Sequence, residues 1–300
     1  MKKSMLILLA AVFLHAFSQQ STALPVKWEE LTVPDFVKAV EKSGKVCIVP
    51  MGIIEKHGPH LPLATDLIIA RDLCVEAAKK NYVVVFPEFY VGQIDVARPQ
   101  PGTIAYSPQL VWKILEETCD EIARNGFDKI ILANWHGGNI SLLNYFAQTT
   151  LHQRKNYSVY FVPFIFSLLD SMQQKQLKKF SAGIPESAMG HAGADETAMM
   201  LISRPDLVKM ARASDESGKN LNRLNNVPDV KTGIDWYACY PNHYSGNGSP
   251  ATKEYGKALC DAFVDKLIQV IQEVKNDTRL KELYEQFYKE SENPLQTLPR

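Results

Sequence analysis

Three short segments carry most of the residues able to do chemistry. Glu55-Lys56-His57 is followed by Gly58-Pro59-His60 and then by Asp66. Asn134-Trp135-His136-Gly137-Gly138-Asn139 forms a second cluster, and Gly190-His191-Ala192-Gly193-Ala194-Asp195-Glu196-Thr197 a third. Glu55, His57, Asp66 and His136 make a mixed oxygen and nitrogen donor set of the kind that binds Zn²⁺ or Mn²⁺. Taken singly, Glu55 or His57 reads as a surface or capping residue, and the case for a metal rests on their joint arrival with His136. Gly137 and Gly138 let the chain turn sharply beside His136 and leave room for a small molecule. His191 reads as an exposed, flexible imidazole with a carboxylate nearby, suited to acid–base work near neutral pH. Asp195 and Glu196 open a helix, where carboxylates are favourable without any catalytic duty.

These segments need a scaffold that brings them to one place. After a polar lead-in from Trp28 to Lys42, the apolar runs Lys45–Met51, Val83–Phe86, Lys129–Asn134 and Val159–Phe164 read as buried strands. Between them, Asp66–Lys80, a Ser107-capped stretch to Asn125 closed by Gly126, and Asn139 to about Lys155 have helical spacing. Continuous apolar strands alternating with helices imply βαβ units around a mostly parallel sheet covered on both faces. Residues 55–66 and 134–139 then fall just past the carboxyl ends of two strands, where open α/β sheets place their ligands. Gly193–Arg204 is expected to be a short helix and Ala251–Val274 a final amphipathic one. The polar stretch Ser214–Pro250 between them reads as a long functional loop within a single domain spanning 24–300.

Composition removes several classes of function. Lys plus Arg and Asp plus Glu each number 33 in the 300 residues. That balance argues against a nucleic-acid-binding surface. Met1-Lys2-Lys3 followed by the apolar run Leu6–Leu14 and the small residues Ala16 and Ser18 has the form of a secretory signal peptide over residues 1–18, with cleavage as late as residue 23 as the alternative. An exported protein, periplasmic or secreted and not retained in a membrane, is the expectation. Its mature chain would carry 31 basic and 33 acidic residues, Lys2 and Lys3 having been removed. The five cysteines are widely spaced and form no CxxC, and Cys47, Cys74 and Cys119 lie in apolar elements and read as core.

In chain order, Glu55 to Asp66 resembles the E-x-H-G-x-H-L-P-x-x-T-D signature of the creatininase (creatinine amidohydrolase) family. Pro101-Gly102-Thr103, Asn134 to Asn139 and His191 to Thr197 are similar to its P-G-T, N-x-H-G-G-N and H-A-G-x-x-E-T elements. Gly248-Ser249-Pro250 through Gly256 is loosely similar to a late glycine-proline region. The resemblance implies a three-layer α/β/α fold, two divalent ions (Zn, Mn or both), hydrolysis of a small non-peptide C–N amide, and homo-oligomers, often hexamers. By motif, Glu55, His57, Asp66 and His136 would be metal ligands, with Asp66 bridging. Glu196 would be a further ligand or an acid–base carboxylate, and His191 the proton shuttle. In that scheme a water between the cations loses a proton and attacks the amide carbonyl, and His191 protonates the departing nitrogen. His60 would support the ligands from behind, and Trp135 would either wall the pocket beside His136 or pack in the core.

Three departures point away from creatinine. Creatinine-hydrolysing members carry a Glu where this chain has Gly138, and tryptophans after the fourth strand where it has Tyr160, Phe164 and Phe166. Many members also have a His shortly before P-G-T, where this chain reads Asp95-Val96-Ala97-Arg98. A cyclic or formyl-type amide is the expected substrate class. The competing reading is an exported metal-containing protein that binds a small molecule without turning it over. A serine or cysteine nucleophile finds no G-x-S-x-G elbow.

Overall fold

A computed structural model of the chain describes residues 24–296. The expected signal peptide lies outside the described residues. The helices and strands are, in order, α1 (Val33–Lys42), β1 (Val46–Met51), α2 (Thr65–Lys80), β2 (Val84–Val85), α3 (Pro108–Arg124), β3 (Lys129–Asn134), α4 (Asn139–Thr149), β4 (Ser158–Val162), α5 (Ser171–Leu177), α6 (Ala194–Ser203), α7 (Asp235–Cys239), α8 (Lys253–Asn276) and α9 (Arg279–Glu292). The strands form one parallel sheet in the order β2-β1-β3-β4. Strand side chains alternate between two cores, as the two-residue period of a strand requires. Val46, Ile48, Ile131 and Ala133 face the layer of α2, α6 and α8. Cys47, Val49, Met51, Ile130 and Leu132 face α1, α3 and α4. The result is the expected three-layer α/β/α arrangement.

Several boundaries differ from the sequence reading. The polar lead-in contains α1, of which Ala39 and Val40 are buried. β2 keeps only two residues because its chain leaves the sheet edge early. α4 ends at Thr149 and relaxes into a tighter turn to His152. Ser107 caps α3 as expected, its hydroxyl accepting from Leu110 N–H, and all five cysteines are free. Among the described residues, no helix is long and apolar enough to cross a membrane.

Two close contacts brace the segments around these motifs. The Pro101-Gly102-Thr103 turn presses on Leu63 of the first motif. On the other side, α6 meets α8 at Gly256, where a Cβ would lie 1.9 Å from the Ala198 carbonyl oxygen.

Candidate metal centre

β1 and β3 are adjacent and in register, with Met51 opposite Asn134. The loops that leave their carboxyl ends therefore open side by side. The first carries Glu55 and His57 and leads to Asp66 in the first turn of α2; the second carries His136. Asp66 sits between the two imidazoles and gives one oxygen to each: Oδ1 is 3.0 Å from His57 Nε2 and Oδ2 is 3.1 Å from His136 Nδ1. Glu55 Oε1 lies 2.9 Å from His136 Nδ1. Glu196, in the first turn of α6, brings Oε2 to 3.8 Å from His57 Nε2 while accepting the Ala192 N–H. All these side chains are buried.

The far nitrogen of each imidazole is spent on the backbone. His57 Nδ1 is 3.2 Å from the Glu55 carbonyl oxygen and His136 Nε2 is 2.9 Å from that of Gln93. A carbonyl only accepts, so these nitrogens carry hydrogen and the opposite ones face the carboxylates. Metal-binding histidines are oriented in this way. Glu55 Oε1 has no hydrogen-bond donor although it is buried and close to His136. An orphaned carboxylate oxygen beside an imidazole nitrogen fits a shared cation. The donor chemistry, carboxylate plus imidazole, fits Zn²⁺ or Mn²⁺.

Without a cation, protons balance the charges. Burial works against the positive charge of His57, but Asp66, with Glu196 and Glu55, outweighs it and raises the ring to about 10. His136 is likewise raised well above its ordinary value against the cost of burial, by Glu55 and Asp66. Glu55 and Asp66 are held low despite burial by the imidazoles they face. Burial lifts Glu196 to about 8, His57 opposing and Asp66 adding to the rise. A divalent ion entering here would take the place of those protons.

His191 is not the exposed imidazole expected of it. Its ring lies 4.3 Å from that of His57 and 4.6 Å from that of His243, and its Nε2 is 2.8 Å from the Lys56 carbonyl oxygen. Burial and the neighbouring His57 lower it to about 3, so it is neutral. His60 meets no carboxylate of the cluster; its Nε2 is 2.8 Å from Thr197 Oγ1, beside Glu196. Asp195 takes the structural role open to it, accepting the Gly190 N–H. Asn139 fixes the second loop, accepting from Gln93 N–H and donating to Asn134.

Of the two readings of Trp135, the structure takes core packing and not the pocket wall. Trp135 continues the face of Ile131 and Ala133, is 1 % exposed, and packs on Phe166 and Phe263 in the α8 core. The two-residue strand period that sends His136 to the site sends Trp135 away from it. Of the two glycines, Gly137 has open space at its α-carbon, while Gly138 is crowded by His136 and Gln93. Two further residues, His243 and Trp236, come from the Ser214–Pro250 stretch, whose length marks it as functional but whose sequence carries no spacing that singles them out. His243 Nε2 reaches Glu55 Oε2, and the Trp236 ring lies 5.8 Å from that of His191.

Comparison with known proteins agrees with this geometry. The family model Creatininase, described as creatinine amidohydrolase, matches residues 29–271.

The chain belongs to the creatininase family.

The creatinine amidohydrolase of Pseudomonas putida is 24% identical over 196 residues, covering 62% of this chain and 75% of that one. A creatininase mutant solved in a Zn-Zn form superposes with a TM-score of 0.71 at 21% identity, covering 85% of this chain and 100% of that one. A manganese creatininase gives 0.70 at 21% identity, covering 84% and 99%. Those two neighbours are described as a Zn-Zn and a Mn form, and this creatininase-family chain gathers candidate ligand groups of its own, Glu55-His57-Asp66 and His57-His191-Glu196 among them.

Proposed function

We propose that this protein is an exported amidohydrolase that uses two divalent ions, Zn, Mn or both, to hydrolyse a small non-peptide C–N amide of cyclic or formyl type. The observation that carries the reading is the division of Asp66 between His57 and His136, one oxygen each. That is the arrangement a bridging carboxylate needs. Glu55, Asp66 and His136 would hold one ion, and His57, Asp66 and Glu196 the other. The ions would polarise the amide carbonyl and lower the pKa of the attacking water.

The chain's own residues supply the rest. Gly137 leaves the open side by which a small amide reaches the cluster. His191 enters the reaction neutral, its Nε2–H given to Lys56, with Nδ1 free to accept a proton from the water. It then passes that proton to the departing nitrogen, because an amide nitrogen does not leave as an anion. The crowding at Gly138, where creatinine-hydrolysing members carry a Glu, supports a substrate other than creatinine. A homo-oligomer, hexameric by resemblance, completes the proposal.

The test is elemental analysis of protein purified without chelator, followed by a panel of lactams and formamides. Two ions per chain and turnover of a panel member are expected. Fewer than about one ion would overturn the two-ion reading. Two ions without turnover across the panel would favour the binding-protein alternative.

A further inference from the structure

Trp236 and His243 are linked to Glu55 by a chain of hydrogen bonds whose direction is fixed by chemistry. An indole N–H only donates. Trp236 Nε1 lies 3.0 Å from His243 Nδ1, so that nitrogen presents its lone pair. A neutral imidazole with a lone pair on Nδ1 carries its hydrogen on Nε2. His243 Nε2 is 2.5 Å from Glu55 Oε2, so the hydrogen is given to the carboxylate. The His243 side chain is buried and its backbone φ is 56°, in the left-handed region that non-glycine residues enter only at a cost. The fold thus bears some strain to seat this imidazole.

Glu55, His191 and His243 also offer atoms within 4.8 Å of one another, which would suit His243 as a ligand itself. Ligation through Nε2 would move its hydrogen to Nδ1, directly against the indole hydrogen. The geometry points to a different division of labour: Trp236 sets the tautomer of His243, and His243 holds Glu55 as a fixed N–H donor, leaving Glu55 Oε1 for the cation. His243 and Trp236 are then positioning residues. This inference rests on the metal-centre reading above and adds to it a link between a metal ligand and the Ser214–Pro250 segment. The same segment is tied down beside the site by Glu216, which pairs with Lys56 at 2.6 Å, and by the Pro241 carbonyl, which accepts from Gln100.

The test uses the full chain, loaded with zinc and labelled with ¹⁵N at histidine. Ring-nitrogen spectra should show His243 as the Nε2–H tautomer. An Nδ1–H tautomer, or a splitting of the Nε2 signal after ¹¹³Cd replaces zinc, would overturn the inference. Trp236→Phe keeps a ring but removes the donor; it should release the tautomer and weaken zinc binding, read by chelator competition, by about 10–100-fold. His243→Asn, which tolerates the left-handed backbone but places its amide near the Nδ1 position, should weaken zinc similarly. His243→Gln, with an amide N–H near the Nε2 position, should recover much of that loss. Wild-type zinc affinity in both Trp236→Phe and His243→Asn would overturn the inference. Should the wild-type chain hold no metal, the proposed function falls, while the tautomer of His243 still decides the relay.

Discussion

Gly138 and Gln93 exclude any side chain at position 138. A Cβ there would lie 2.6 Å from the Gln93 carbonyl oxygen, 2.9 Å from its Oε1 and 2.5 Å from His136 Nε2. The same carbonyl holds His136 in place. The Glu that creatinine-hydrolysing members carry here is therefore barred by the second loop's own packing. Gly138→Glu should not create creatinine hydrolysis; it should displace His136, lose bound metal and cost about 1–3 kcal/mol of stability. Metal content and thermal unfolding check this, and a variant with two ions and an unchanged melting temperature would contradict it.

Asp66→Ala should release both ions, because each half of the site uses one of its oxygens. His136→Ala, which touches one half, should leave one. Metal analysis after gel filtration separates the two. Equal loss in both variants would argue against a bridging Asp66.

Glu196→Gln should lower the metal content from two ions to one, as expected of a ligand. His191→Ala should retain two ions and lose most of its rate on amides with poor leaving groups. An ion lost with His191 would make it a ligand, and unchanged turnover would remove it as the proton carrier. Both variants need parallel metal and rate measurements.

The metal-free protein should become less stable as pH rises. His57 goes from an ordinary value of 6.5 to about 10 in the fold, so its contribution is complete below 6.5 and is lost as pH climbs through 10. Glu196, raised from 4.5 to about 8, acts in the same direction over its own range, complete below 4.5 and lost through 8. Glu55 and Asp66, both held low, act oppositely and withdraw their support as pH falls into the acid range. Bound cations would replace the protons on His57 and Glu196, so protein loaded with metal should lose much of this alkaline sensitivity. Melting temperatures at neutral and alkaline pH, with and without chelator, provide the measurement.

Trp135→Ala should cost about 3–5 kcal/mol by emptying the core between Phe166 and Phe263. Trp135→Phe should be much milder. Neither should change the number of ions bound. A variant that folds with wild-type stability but altered substrate preference would place the indole back in the pocket.

The sequence showed the strands and the helices α2, α3, α4 and α8, though not α9 (Arg279–Glu292), which buries no residue, because apolar runs and caps are local: Ser107 needs only its own helix to be read. It showed Glu55, His57, Asp66 and His136 for the same reason, each lying in a short segment just past a strand or at a helix start. His243 and Trp236 stayed hidden because their role arises from contact across 188 residues with Glu55, and nothing beside them in the chain announces it. The surroundings of His191 failed for a related cause: neighbouring glycines suggest freedom, whereas His57, His243 and Lys56 close around the ring only in the fold.

Gly256 lies far along the chain from any donor atom, yet α6 rests against it through the Ala198 carbonyl, two residues beyond Glu196. A methyl group at position 256 would act as a shim between the two helices and force α6, with Glu196 in its first turn, to shift. The placing of Glu196 thus depends on the thickness of a helix contact at the rear of the molecule as well as on its neighbours in the cleft.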